Sequence, residues 1–179
     1  MAFIWLKHLL RPLLKNYEHP KISTYVSMSD PQYNGEDKII QICVKGMWIK
    51  HGALAAMGSF FTYPLVGQAI KHHWIEVETD NGLYSVQFHG GLNSLFIHKK
   101  HSTEDILKEA TKAAGMDEIN DKQVKDVFPI KYITEDKNMD DLLNIVEAHA
   151  NIGKYNLVLN NCQDFSAVIY NWCCENYIR

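Results

Sequence analysis

The chain has 179 residues, 46% of them hydrophobic and 22% charged, with a formal net charge of -3. That length suits one domain with a substantial core, and that composition excludes wholesale disorder. The slightly acidic balance carries no nucleic-acid footprint.

Met1 to Tyr17 reads as an amphipathic helix, with Lys7, Arg11 and Lys15 on one stripe. Trp5, Leu6, Leu9, Leu10, Leu13 and Leu14 cover much of the remainder. The charges interrupt the apolar run too early for a signal peptide. A basic stripe opposite Trp and Leu suits a membrane surface; a helix packed on the domain is the competing expectation. Pro12 limits how straight this helix is. The chain thus divides into an N-terminal helix (1–20) and a domain (21–179).

Lys21 to Asp37, with Pro31 and Gly35, reads as a loop. Ile39 to Val44 is a β-branched run bounded by Gly46, and is expected as a strand. Gly52 to Ile70 is 19 residues without a formal charge, the length of a membrane span. Ser59, Thr62, Gln68 and Pro64 dilute it, so the expectation is an apolar insertion at about 46–71, buried or touching a membrane.

His72 to Glu78 and Leu83 to His89 flank Asp80-Asn81-Gly82, a strong hairpin signal. Ser102 to Ala114 is expected as a helix capped by Ser102 and stopped by Gly115. Asp117 to Asp126 reads as a solvated, charged face, and Val127 to Ile133 as a strand interrupted by Pro129. Asn138 to Ala150 is a second helix, closed by Gly153. The apolar run Tyr155 to Leu159 then meets Asn160 and Asn161, good helix-start residues. A last helix runs from Cys162 to about Tyr177, with Phe165, Val168, Ile169, Trp172 and Cys173 at helical spacing.

The four cysteines are too few and too unevenly spaced for a disulfide framework, so reduced thiols in a cytosolic protein are expected. No CxxC or HExxH spacing occurs, and neither a metal nor a cofactor is expected. Cys162 stands apart from the other thiols. At a helix start, the dipole and the N–H groups favour a thiolate and can hold an oxyanion. Such a nucleophile needs a nearby imidazole, and that imidazole needs a polar partner.

The hairpin supplies both, in either of two registers. With a three-residue loop, Ile75 faces Gln87 and His73 faces His89, so that His73, Gln87 and His89 share one face. With a two-residue loop, His73 joins Tyr84, Val86 and Phe88, while His72 joins Trp74, Gln87 and His89. The second register gives the cleaner amphipathic alternation and argues for His72; periodicity leaves the choice of base open.

A strand, then His73-Trp74 opening a hairpin, then Asn161-Cys162-Gln163-Asp164-Phe165 opening a helix resembles the lecithin:retinol acyltransferase (LRAT)-like group. That group belongs with the NlpC-type proteins, whose papain-like fold is circularly permuted so that His precedes Cys. The resemblance spans roughly 38–178. It departs where Gln163-Asp164 replaces Glu-His and where the insertion at 46–71 is long.

The resemblance implies an α+β fold, with a small antiparallel sheet packed on helices and Cys162 at a helix N-terminus. It implies Cys162 as nucleophile, His73 as base and Gln87 as the residue orienting it, with His72 and His89 as alternates. The activity implied is acyl transfer or hydrolysis on an acyl-containing substrate, either lipid or peptide. The basic helix and the apolar insertion favour lipid or membrane-proximal substrates and a protein peripheral to a membrane. A cysteine peptidase or deconjugating enzyme, and a non-catalytic binding protein on the same fold, are the alternatives. Fold alone does not choose among them.

Overall fold

The computed structural model describes residues 25–27, 33–48, 71–89, 94–114, 121–150 and 161–174. The expected N-terminal helix, the apolar stretch 52–70, the run 155–159, Gly115 and Gly153 lie outside the described residues. The described residues form an α+β fold. Its strands are β1 (Tyr25–Ser27), β2 (Ile39–Trp48), β3 (Lys71–Thr79), β4 (Gly82–His89), β5 (Ser94–Lys100), β6 (Lys125–Asp126) and β7 (Lys131–Tyr132). Its helices are α1 (Thr103–Ala113), α2 (Met139–Ala150) and α3 (Cys162–Cys174).

All seven strands join one sheet in the order β1-β5-β4-β3-β2-β6, with β7 also on β2. β1 lies parallel to β5, and the other pairs are antiparallel. Helices cover both faces of the central strands, so apolar side chains are buried on each side. On one face Ile42, Ile75, Val86 and Phe88 meet Val146 of α2 and Phe165 of α3. On the other, Met47 and Trp74 meet Ile106 and Ala110 of α1. Each such apolar side chain taken fully from water contributes about 2 kcal/mol before entropy is counted.

The sheet is larger than expected. β5 lacks the β-branched run of β2, yet Leu95 and Ile97 are fully buried in it. The strand expected to end before Gly46, β2, continues to Trp48, where Gly46, Met47 and Trp48 pair with His73, His72 and Lys71 of β3. A Cβ at Gly46 would lie 3.0 Å from both His73 Cδ2 and Val127 Cγ2. Of the expected strand over 127–133 only Lys131–Tyr132 (β7), past Pro129, is a strand; β6 (Lys125–Asp126) is exposed and lies at the end of the stretch expected as a solvated face. Of the apolar residues at helical spacing on α3, Val168 is exposed while Phe165, Ile169, Trp172 and Cys173 are buried.

The hairpin settles in the two-residue register. Thr79 pairs with Gly82 and Trp74 with Gln87, leaving Asp80-Asn81 as the loop. Gly82 takes a φ of 144°, where a Cβ is disfavoured. This register overturns the three-residue alternative, in which Ile75 faced Gln87; Ile75 pairs with Val86.

Asp37 ties the hairpin to the chain before β2. Its carboxylate accepts Tyr84 Oη at 2.6 Å, Lys99 Nζ at 2.9 Å and Asn81 Nδ2 at 3.1 Å. Burial alone would raise its pKa, but these donors outweigh it and hold the carboxyl below its ordinary value. A depressed folded pKa means that the stabilisation is complete above the ordinary carboxylate range and is lost as pH falls through the folded value. Asp37→Ala leaves Lys99 without this buried partner and is expected to cost about 3 kcal/mol in urea unfolding. Asp37→Asn is expected to flatten the acid limb of stability against pH below about 4.

Candidate functional site

The start of α3 is fixed by a reciprocal cap. Asn161 Oδ1 accepts the backbone N–H of Gln163 at 2.8 Å and of Asp164 at 3.1 Å. Asp164 Oδ2 accepts the Asn161 N–H at 3.3 Å. This is a capping box with an aspartate in the returning position. It makes Cys162 the first residue of the helix. Phe165, one turn on, packs its ring 5.9 Å from that of Phe88 and anchors the helix to the sheet.

The thiol lies against the beginning of β3. Cys162 Sγ accepts the His73 backbone N–H at 3.4 Å and donates to Lys71 O at 3.6 Å. The Gln163 side-chain amide donates to the same Lys71 oxygen at 3.3 Å. Cys162 is 2% exposed. An N–H pointing at sulfur and the helix start favour the thiolate, while burial and the hydrogen given to Lys71 O favour the thiol.

The imidazole of His73 lies one turn further along α3. Its Nδ1 is 3.1 Å from Ser166 Oγ, and that hydroxyl donates to Gln163 O at 3.0 Å. A serine has one hydroxyl proton, so satisfying both contacts assigns the hydrogen to His73 Nδ1 and a lone pair to Nε2. Nε2 faces β2, 3.3 Å from where a Cβ on Gly46 would sit. Burial, then the charge of Lys71, lowers the His73 pKa to about 4, so the ring is neutral at physiological pH. The structure therefore brings His73 to Cys162 through its backbone, while its ring pairs with Ser166.

Gln87 does not serve His73. It lies on the opposite face of the sheet, where its Oε1 is 3.0 Å from His72 Nε2. The reason is the two-residue turn, which gives Gln87 and His73 opposite parity. Gln87 Nε2 donates to Ser85 Oγ at 2.8 Å and to Glu109 Oε2 at 3.1 Å. Its carbonyl oxygen is thus the acceptor, and His72 Nε2 carries the hydrogen. Glu109, on α1, also takes His98 Nδ1 at 2.6 Å and Lys100 Nζ at 3.3 Å. Burial would raise the Glu109 carboxyl, but the hydrogen bond and charge of His98, then Lys100, hold it below the usual range. The His72 ring stacks on Trp74 with centroids 6.2 Å apart. His89 pairs with Ser94 of β5 in the sheet.

Sequence reasoning missed Ser166, although its spacing of four from Cys162 places both on one face of a helix. Glu109 and His98 had no local signal, because Glu109 meets Gln87 and His98 only when α1 packs on the sheet. The other buried thiols differ from Cys162 in their surroundings. Burial, then Asp126, pushes Cys43 up to about 12, and burial pushes Cys173 up to about 12. Among the described residues, no group of three or more His, Cys, Asp or Glu is placed to hold a metal ion. No described helix is long and apolar enough to cross a membrane. No family model, curated protein or solved structure matches the chain.

Two measurements test this geometry. Because the folded His73 pKa lies below its ordinary 6.5, at about 4, the unfolded chain binds the extra proton between those values. Stability is expected to rise as pH rises across that window, and to be lost as pH falls, by up to about 1.4 kcal/mol per unit, and His73→Gln to flatten that limb. In nitrogen NMR, His73 is expected as the Nδ1–H tautomer. Ser166→Ala is expected to mix the tautomers and to cost about 1–3 kcal/mol by leaving a buried N–H unsatisfied.

Proposed function

We propose that this chain is a thiol-dependent acyl-transfer enzyme, hydrolase or transferase, on a permuted papain-like frame of the LRAT-like and NlpC kind. Cys162 is the nucleophile and His73 the base. The observation that carries this reading is the thiol at the first residue of α3, hydrogen-bonded by the His73 N–H at 3.4 Å.

In this mechanism the imidazole swings off Ser166 toward the sulfur and takes the thiol proton. Against Ser166 the ring is a weak base; beside a thiolate, the opposite charge raises its pKa. Catalytic hydrogen bonds that are absent without substrate commonly form in the complex. The thiolate adds to an ester, thioester or amide carbonyl carbon. The leaving group departs with the proton held by His73, and water or a second acceptor releases the acyl group from sulfur. The basic stripe at 1–17 and the apolar stretch at 52–70 support a lipid or membrane-proximal acyl donor over a peptide.

A second reading, a non-catalytic binding protein on the same frame, rests on one observation. The imidazole is bonded to Ser166 rather than to the thiol, and that thiol is 2% exposed.

One experiment separates them. The protein is incubated near neutral pH with lipid-like acyl esters, acyl thioesters, activated peptides and iodoacetamide, and the adducts are located by mass spectrometry. Acyl transfer predicts modification of Cys162 ahead of Cys43, Cys173 and Cys174. It predicts a loss of about 10²–10⁴-fold in acylation in His73→Ala, the usual contribution of a general base. His72→Ala and Gln87→Ala are expected to leave the rate unchanged. Preference for an activated peptide over lipid-like donors would move the reading to a peptidase. Uniform, slow labelling of all four thiols would establish the binding protein instead.

A further inference from the structure

We propose that the side-chain amide of Gln163 is the oxyanion donor of the Cys162 site, and that the Lys71 backbone oxygen occupies its place in the resting protein. This rests on the acyl-transfer reading. A carbonyl oxygen already sits between the sulfur and an amide: Lys71 O lies 3.6 Å from Cys162 Sγ and 3.3 Å from Gln163 Nε2. A substrate carbonyl attacked by that sulfur places its oxygen within reach of the same amide.

The backbone supports this assignment by what it has already committed. Helix-start N–H groups are the usual oxyanion donors of a thiol site. Here the Asn161 side chain takes the N–H groups of Gln163 and Asp164, and the Asn161 carbonyl takes that of Phe165 at 2.9 Å. The cap therefore holds two donors of the first turn, the next N–H is taken by the first ordinary helix bond, and the cap is what fixes the position of Cys162. A side-chain amide carries two hydrogens on one nitrogen and moves without unwinding the helix. Gln163 is half-buried, beside a thiol that is 2% exposed.

In the step proposed, the thiolate pair forms the S–C bond and the carbonyl π pair moves onto oxygen. The oxyanion replaces Lys71 O as the acceptor of the Gln163 N–H. Collapse returns the pair to C=O, breaks the bond to the leaving group and sends it out with the proton from His73. The donor is neutral throughout and neither gains nor loses a proton. A carbonyl oxygen of the protein's own backbone thus keeps the donor aligned until an acyl group displaces it.

The test compares two reactions of Cys162 in the full chain, acylation by an acyl thioester and alkylation by iodoacetamide. Alkylation is a displacement at a saturated carbon and forms no oxyanion. Gln163→Ala and Gln163→Met keep the backbone N–H that Asn161 caps and bring no charge beside the sulfur, and thermal unfolding verifies that they fold. The expected result is a fall in acylation of about 10²-fold, typical for loss of one oxyanion donor, with alkylation unchanged. Acylation and alkylation both unchanged would overturn the role of Gln163 and leave the acyl-transfer reading standing. A parallel fall in both would show that Gln163 acts on the thiol itself, and would also overturn the inference. A wild-type Cys162 that reacts no faster than the other thiols in either reaction would overturn the acyl-transfer reading, and the inference with it.

Discussion

The two-residue turn at Asp80-Asn81 assigns every side chain of β3 and β4 to one face of the sheet or the other. A strand has a side-chain period of two, so one extra residue in the loop would move the whole set across. Asp37 holds this turn from outside, through Asn81, and holds the strands beside it through Tyr84 and Lys99. Gly82 permits the backbone to enter β4 at a φ of 144°. Adjacent residues of a strand alternate faces, so His73 and His72 are separated in any register; the turn decides that His73 shares its face with Val86 and Phe88 and His72 with Gln87.

The two faces then make different chemistry from the same residue type. His72 is one member of a polar network through Gln87 and Ser85 to Glu109, which His98 and Lys100 also meet. In such a network each group satisfies the next, and the cost of burial is met by hydrogen bonds rather than by water. His73 has a different balance. Burial and the neighbouring Lys71 keep its ring neutral, and Ser166 fixes its tautomer. Its ring meets Ser166 and its backbone N–H meets the Cys162 sulfur.

The start of α3 couples structure to chemistry. The Asn161–Asp164 cap uses amides that a helix-start nucleophile would otherwise present to substrate. It also locks the residue between them, so that Cys162 meets the backbone of β3 at Lys71 and His73. Asp164 completes the cap, and Gln163 reaches over the sulfur to the oxygen that the thiol also addresses.

Much of this was legible in the residues. The helices over 102–114 and 138–150 and the start of α3 followed from caps and helical spacing, which are local and act within a few residues of chain. The β-branched run at 39–44 announced its strand, and Cys162 was distinguished by its place after two asparagines. The strand at 94–100 was not announced, because its burial comes from its neighbours and not from its own composition. The partner of His73 was misassigned to Gln87, because two loop lengths fitted the same pattern and only the folded turn, held by Asp37, separates them. The sequence by itself determined the helix starts, the hairpin and the candidate thiol, since those depend on backbone donors and periodicity nearby. Only the tertiary structure decided which histidine meets Cys162, that Ser166 holds its ring, and that Gln87 belongs to Glu109. Those are contacts between elements far apart in the chain, and the parity of one turn governs the first of them.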